Sequence, residues 1–463
     1  MKNFEHISDD IINLMRFKDE DLASLISNQE YKHINCAVIS TGCKLNQFEA
    51  SQFEAILKRF DVNIVEPCLS AKNNCSNDNI QIFLINTCSV TEKADVETDK
   101  IIRKIRKKYP DSRMILTGCS AQINQIKFLK MPGIELMDNV QKAKVLKISS
   151  QRFPDTFLNQ KRTRPYLKIQ EGCDLDCSYC IIPKARPVKW SMETKSVLNS
   201  IIELGRLGYK EVILTGVNMG SYLDKKSGVK LKNLLTSIEE LKNSVKIRLS
   251  SIDPIYIDDD MIKIFELSKK IQNHFHIPLQ SASDKILKNM NRNYYFKDYA
   301  SLAAKIIEKV KDASIGTDII SGFPGENEDD FIETAENLKK LPIYYIHAFS
   351  YSDRKGTKSY YLKQKNKETE IKRRTGIIRE ISSQKKTEFH RKFLNKPLEF
   401  ISLNNNKAIS SNYIKALISF DGSKNDIGNM TLPQGKMFKG IIIEPKNGFN
   451  HGEEVTVAIE SYI

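Results

Sequence analysis

Cys173, Cys177 and Cys180 lie within eight residues of one another, in the stretch Lys168-Ile-Gln-Glu-Gly-Cys-Asp-Leu-Asp-Cys-Ser-Tyr-Cys-Ile-Ile-Pro-Lys-Ala-Arg186. Thiolates are the soft ligands that iron–sulfur clusters and zinc prefer, so such a loop can wrap one metal centre. Zinc sites usually pair two-residue spacings and often recruit histidine. No histidine falls within eighty residues of this loop. A cubane cluster has one more iron than the loop has cysteines. One iron is thus left without a sulfur from the loop, much as catalytic metal sites keep a position open.

A second set of thiols follows from the pattern of the N-terminal third. Three apolar runs each end in a small residue or Thr and then a Cys: Ala37-Val-Ile-Ser-Thr-Gly-Cys43, Ile80-Gln-Ile-Phe-Leu-Ile-Asn-Thr-Cys88 and Met114-Ile-Leu-Thr-Gly-Cys119. Helix-like stretches at 47–59 and 91–108 follow the first two, and a shorter apolar-polar stretch follows the third. Strands alternating with helices build a parallel sheet whose strand ends share one edge. Cys43, Cys88 and Cys119, 45 and 31 residues apart, should therefore converge into a second three-thiolate site. The commoner fate of a lone free Cys is burial as a small apolar residue, and Cys36, Cys68 and Cys75 read as structural or incidental.

The elements that must carry these sites alternate again from 165 to about 351. Strands are expected at 166–170, 211–215, 246–250, 274–279, 315–320 and 346–350, with helices such as 196–207 and 328–340 between them. Six strand–helix units suit a partial barrel, whose chemistry sits at the C-terminal strand ends. Thr215-Gly-Val-Asn218, Ser250-Ser-Ile-Asp-Pro254, Pro278-Leu-Gln-Ser281 and Gly322-Phe-Pro-Gly-Glu326 all fall there. Singly these are turn chemistry; their shared placement points to one pocket. A long basic helix is expected over 366–394, packed along the barrel. After Asn395-Lys-Pro397 come short alternating strands at 398–403, 413–420, 437–443 and 454–459, a small β-barrel of the kind that binds single-stranded nucleic acid.

A chain of 463 residues should hold about three domains. Its net charge of +15 favours a polyanionic partner, although a Lys- and Asn-rich composition alone produces such a charge. Nine cysteines spread over this length suit a cytosolic metal-binding protein better than a disulfide scaffold. Neither a signal peptide nor an apolar run of about 18 residues is visible, so a soluble, cytoplasmic protein is expected. The basic face of helix 95–108 reads as solvated. Residues 1–33, with a short amphipathic helix around Ile11–Phe17, form an extension of unassigned purpose, and 150–164 a linker.

C-x3-C-x-aromatic-C, with Tyr179 as the aromatic, resembles the signature of radical S-adenosylmethionine (SAM) enzymes, and the flanking Ile-Gln-Glu-Gly-Cys and Cys-Ile-Ile-Pro-x-Ala-Arg look like its methylthiotransferase branch. Gly42-Cys-Lys-Leu-Asn46, Asn86-Thr-Cys88 and Gly118-Cys119 resemble that branch's N-terminal domain, and Ser411-Asn-Tyr-Ile-Lys415 is similar to the RNA-binding TRAM domain. The resemblance covers about 35–463. It implies an α/β chain with an N-terminal parallel cluster domain (34–150), a central partial (βα)6 radical SAM barrel with its basic helix (160–394) and a C-terminal TRAM-like β-barrel (395–463). It implies two [4Fe–4S] clusters and SAM as cofactors. Cys173, Cys177 and Cys180 would hold the SAM-cleaving cluster, and Cys43, Cys88 and Cys119 an auxiliary, sulfur-donating one. It places Tyr179, Gly216, Asn218, Ser251, Gln280 and Asp318 at the SAM pocket, and Arg292, Tyr413 and Lys415 at RNA. Two departures, Ala282 and Pro187 where glycine is usual, affect pocket contacts.

Within the branch, the motifs look most like the tRNA N6-threonylcarbamoyladenosine methylthiotransferases. That implies methylthiolation at adenine C2 beside the anticodon, with tRNA as partner, a flavodoxin or ferredoxin as electron donor, no membrane and a monomeric protein. The rival within the mechanism is N6-isopentenyladenosine. A ribosomal-protein methylthiotransferase and an RNA methylase with a nucleophilic Cys fit the motifs less well. The rival outside it is a non-catalytic RNA-binding protein with structural zinc, which would be colourless and free of iron.

Overall fold

The computed structural model describes residues 34–59, 62–69, 79–152 (147–152 as backbone), 160–420, 432–443 and 454–463. The segment around Ile11–Phe17, Cys75 and the middle of the 150–164 connection lie outside these residues. Contacts divide the chain into two compact units. One comprises the N-terminal part to Gln160 with Glu171–Asp174 and Ile181–Trp190; the other comprises Lys161–Gln170, Leu175–Cys180 and everything from Ser191 onward.

The first unit is a five-stranded sheet in the order β2-β1-β3-β4-β5, built from β1 (Asn35–Ser40), β2 (Asn63–Ile64), β3 (Ile82–Thr87), β4 (Arg113–Thr117) and β5 (Ile134–Leu136). Every pairing is parallel. All six residues of β3 are buried, as expected of a central parallel strand covered on both faces. Helices Lys44–Arg59 and Glu92–Lys108 follow β1 and β3. The second has acidic Glu92 and Asp95 in its first turn and Arg106, Lys107 and Lys108 in its last, each sign opposing the helix dipole. Its Ile102 and Ile105 pack against Phe83, Ile85, Met114 and Leu116.

Further along the chain, β6 (Tyr166–Glu171), β7 (Trp190–Ser191), β8 (Glu211–Gly216) and β9 (Lys246–Leu249) form a sheet ordered β7-β6-β8-β9, and β10 (His274–His276), β11 (Ser314–Ser321) and β12 (Tyr345–Ser350) form another. A parallel bridge between Ile247 and Ile271 joins the two. The result is the expected parallel succession β6-β8-β9-β10-β11-β12, with helices such as Thr194–Arg206 and Glu328–Lys340 between strands. A buried ion cluster gathers near the starts of its strands: Glu211 accepts from Arg248 (2.9 and 3.0 Å), Arg164 (3.0 Å) and Gln272 (2.8 Å). Gly316 on β11 makes room for the Tyr345 ring, whose Cζ would lie 2.1 Å from any added Cβ.

The long helix Glu368–Lys392 lies along this barrel. Ser382 hydrogen-bonds both backbone groups of Ile346, and Arg374 is buried against Glu326 at 2.8 Å. Beyond it, β13 (Pro397–Ser402), β14 (Lys407–Ser410), β15 (Lys415–Ser419), β16 (Met437–Ile443) and β17 (Val455–Tyr462) close a barrel in the order β13-β14-β15-β17-β16. Phe400, Ile418, Phe438 and Val457 occupy its core. The short strand β14 was not expected from the sequence: Asn404, Asn405 and Asn406 before it read as a loop, and two of them take positive φ to turn the hairpin.

Candidate active site

The N-terminal triad is a consequence of register. Ser40 on β1 pairs with Asn86 on β3, and Asn86 with Thr117 on β4, so the three strands end level and Cys43, Cys88 and Cys119 come just after. Two glycines let the ends close up. An added Cβ at Gly42 (φ +83°) would lie 2.5 Å from the Cys88 sulfur, and one at Gly118 (φ +92°) would lie 2.3 Å from the Thr87 carbonyl oxygen. Burial pushes the Cys88 thiol up to about 12, and the neighbouring Cys43 and Cys119 thiols add to the rise. Cys119 is also raised by burial, against the pull of the Arg186 and Lys142 cations. Buried thiols of this kind ionise when a metal takes the place of the proton.

Behind the triad sits a buried polar network that the sequence did not announce. Glu49, fully buried, accepts from Lys142 (2.7 Å) and Arg186 (2.8 Å). Arg186 also reaches Glu171 (3.0 Å) and the Asn46 side-chain oxygen (2.6 Å). Asn46 donates to the carbonyls of Thr41 and Thr87 (both 2.9 Å), and Asn86 donates to Glu49 (3.1 Å). Two cations and two carboxylates leave the network neutral, and its members tie the three strand ends together. Asn46, Asn86 and Arg186 were each visible as motif letters; Glu49 and Lys142 carry no local signal, because only the fold brings them there.

The second triad belongs to a loop. Gly172, at φ +80°, turns the chain out of β6, and a Cβ there would meet Lys189 at 2.7 Å. Ser178, between Cys177 and Cys180, holds the loop in place. Its backbone N–H donates to the Met290 carbonyl (3.0 Å), its hydroxyl to the Asn289 carbonyl (2.8 Å), and its carbonyl accepts from Ser359 (2.8 Å). All three thiols of the loop are half-buried. Tyr179 packs against Ile286, Met290 and Phe323.

Arg292 departs from its expected place. Its guanidinium is ion-paired with Asp253, bonds the Tyr294 hydroxyl at 3.0 Å and donates to the Cys177 sulfur at 3.1 Å, with 5% of the side chain exposed. A guanidinium so enclosed is not available to RNA; it faces the cysteine loop. Tyr413 also departs. Its ring stacks on His274 at 4.0 Å, with the Arg248 guanidinium 5.2 Å from its centre, and Arg248 donates to the carbonyls of Ser410 and Ser411 (both 3.0 Å). Tyr413 therefore docks the C-terminal barrel on the parallel one rather than offering a stacking face. Lys415 is exposed at the start of β15.

Of the residues expected at SAM, Gly216 closes β8 where a Cβ would crowd Gln170 at 3.0 Å. Asn218 is buried, its N–H donating to Gln170 (2.8 Å) and its side chain to the Tyr256 hydroxyl (3.1 Å). Gln280 takes a positive φ of 74° and exchanges backbone hydrogen bonds with Asp318 (2.8 Å) and Ile320 (2.9 Å). Ser251 and Asp318 come together through two histidines, His276 at the head of the His276-Ile-Pro-Leu-Gln-Ser281 motif and His347, whose partnership the sequence did not show. Ser251 bonds His276 Nδ1 at 2.8 Å, and Asp318 contacts His276 (3.2 Å) and His347 (3.1 Å). Burial alone would raise Asp318; the two imidazoles outweigh it and hold the carboxyl well below its usual range. Glu326 is engaged in its own loop, accepting from Gly322 N–H (2.6 Å) and Arg374.

The donor sets fit iron–sulfur clusters. The first has three sulfurs at level strand ends backed by buried cations; the second has three half-buried sulfurs on a pinned loop with a hydrogen bond to one of them. Fold and site together define a radical SAM enzyme with a second cysteine triad. A family model described as the Radical SAM superfamily matches residues 167–338, and one described as Uncharacterized protein family UPF0004 matches residues 35–138. The threonylcarbamoyladenosine tRNA methylthiotransferase MtaB of Aquifex aeolicus is 35% identical over 81% of this chain and 94% of its own length; that of Bacillus subtilis is 30% identical over 90% and 95%. A tRNA-2-methylthio-N(6)-dimethylallyladenosine synthase of Clostridium tetani is 28% identical over 84% and 91%. Among solved structures, the radical SAM methyltransferase TsrM of Kitasatospora setae, bound to tryptophan and a SAM analogue, shares the fold at a TM-score of 0.50 and 13% identity over 68% of this chain and 72% of that one. The chain belongs to the radical SAM methylthiotransferase family.

Proposed function

We propose that this protein adds a methylthio group to C2 of N6-threonylcarbamoyladenosine beside the anticodon of tRNA. The observation that carries the reading is the pair of cysteine triads, one at the strand ends of the first unit and one on the loop after β6. The substrate choice leans on the names of the relatives with 30% identity or more. The cofactors, when bound, supply a 5′-deoxyadenosyl radical at one triad and a transferable sulfur at the other.

The chain's own residues do the positioning. Cys173, Cys177 and Cys180 would hold the SAM-cleaving cluster, and Ser178 fixes the loop that carries them. Tyr179, Gly216, Asn218 and Gln280 would line the SAM seat. Arg292, buried beside Cys177, steadies the sulfur's charge by hydrogen bonding. Cys43, Cys88 and Cys119 hold the sulfur-donating cluster, with Arg186 and Lys142 offsetting the thiolate charge. Lys415 contacts tRNA phosphate. Residues 34–150, 160–394 and 395–463 act as cluster domain, SAM-cleaving domain and RNA-binding domain of a monomer reduced by a flavodoxin or ferredoxin. Among the described residues no helix is long and apolar enough to cross a membrane.

The test is mass spectrometry of tRNA nucleosides from cells with and without the gene. Selective loss of 2-methylthio-N6-threonylcarbamoyladenosine is the expected result. Loss of the isopentenyl counterpart instead would keep the mechanism and overturn the substrate, and an unchanged nucleoside profile would overturn both.

A further inference from the structure

One cluster of ligating side chains is left over by both cysteine triads. His276, Asp318 and His347 sit on three adjacent parallel strands, β10, β11 and β12. Asp318 and His347 are direct cross-strand partners, and His276 pairs two residues earlier, with Gly316. Side chains alternate along a strand, so Gly316 shares the face of Asp318, and Tyr345 that of His347. Below the cluster Tyr345 fills the space beside Gly316.

Three atoms meet there: His276 Nε2, His347 Nδ1 and one Asp318 carboxylate oxygen. Their separations are 3.2 Å (His276 to Asp318), 3.1 Å (His347 to Asp318) and 3.3 Å (His276 to His347). Hydrogen bonding explains this triangle poorly. If both imidazoles donate to the carboxylate, two N–H groups face each other across the third edge; if only one does, the other imidazole's lone pair faces the carboxylate's. A single divalent ion satisfies all three edges. Ligand atoms about 2.0–2.2 Å from such an ion, at tetrahedral to octahedral angles, stand roughly 3.0–3.5 Å apart. The outer shell agrees. Ser251 lies 2.8 Å from His276 Nδ1, and an N–H donated to it leaves the lone pair on Nε2, as second-shell partners of metal-bound histidines do. Access is one-sided: 10% of the His276 side chain, 20% of Asp318 and 53% of His347 is exposed. Two histidines and one carboxylate with an open side are a donor set for Mn2+, Fe2+, Co2+ or Zn2+.

We propose that His276, Asp318 and His347 bind one divalent first-row transition cation, made without any cysteine and oriented by Ser251. Asp318 and Ser251 thereby serve this ion rather than SAM. Its open positions face the side exposed through His347, where they can receive an oxygen of a substrate.

The probe is Mn2+, which competes poorly for thiolates. It is titrated into the anaerobic holoenzyme carrying both clusters in their oxidised state, and free Mn2+ is read by electron paramagnetic resonance. The wild type should bind one equivalent. Asp318→Asn and His347→Ala should each weaken binding by at least about tenfold, and Ser251→Ala by about tenfold, the range of second-shell losses. Cluster absorbance and far-ultraviolet circular dichroism should stay unchanged, and the half-exposed His347 makes its variant the safest for folding. Wild-type protein that leaves Mn2+ free to millimolar concentration would overturn the proposal. So would equal binding by wild type, His347→Ala and Asp318→Asn. Neither result depends on which nucleoside is modified.

Discussion

The two cysteine triads solve the same ligand problem by opposite means. Cys43, Cys88 and Cys119 are far apart in sequence and meet because three parallel strands end in register. Cys88 and Cys119 are buried, 5% and 2% exposed, and a neutral network of Glu49, Lys142, Arg186 and Glu171 stands behind them. Cys173, Cys177 and Cys180 are neighbours in sequence and need no sheet edge to meet. Their loop is held through Ser178, and all three thiols remain half-exposed. The strand-end triad takes its precision from secondary structure and compensating charge, with two thiols buried and the third, Cys43, half-buried. The loop triad gives up enclosure and keeps a side from which a further ligand can reach the metal.

The largest effect is expected at the loop. Cys177→Ala should reduce SAM cleavage to background, measured as 5′-deoxyadenosine, while about half the iron remains, because the strand-end triad does not depend on the loop's thiols. Arg186→Met tests the opposite dependence. It leaves Glu49 and Glu171 short of a cation in a buried site, a change that costs about 3–5 kcal/mol. Thermal melts should show the loss, and iron should leave the strand-end triad first.

A smaller effect separates the interior of the second unit from both triads. Burial pushes Glu211 up, but Arg248 and Arg164 outweigh it and lower its pKa from 4.5 to about 2. A carboxyl lowered by folding stabilises fully above its unfolded value and loses that contribution as pH falls through the folded one. The contribution, about 3 kcal/mol at neutral pH, should fade between pH 4.5 and about 2. Glu211→Gln should be destabilised at pH 7 and show a flatter acid limb in melting temperature against pH. The smallest effect belongs to the surface. Lys415→Ala should weaken tRNA binding evenly across tRNAs and reduce the salt-dependence slope by about 1, whereas Tyr413→Ala should lower melting temperature, since its ring stacks on His274.

Much of this was legible in the sequence. Both triads were, one as a local spacing and the other because apolar runs ending in Cys imply strands that end together. The six strands of the parallel barrel and four of the five strands of the small barrel were legible from alternation; β14 was hidden behind a run of asparagines. What stayed hidden was side-chain partnership. The family resemblance puts Arg292 at RNA; only the fold turns it toward Cys177 and gives it Asp253. Tyr413 looked like a stacking residue, yet its turn places the ring on His274. The pairing of His276 with His347 was hidden because His276 leads a motif of its own, His347 is a lone histidine inside an apolar strand, and 71 residues separate them.

The two triads do two separable jobs, and Cys88→Ala separates them. Purified under reducing, anaerobic conditions with SAM and substrate tRNA, this variant should still form 5′-deoxyadenosine at close to the wild-type rate and add no methylthio group to the tRNA. Methylthiolated nucleoside at the wild-type level from this variant would contradict the account.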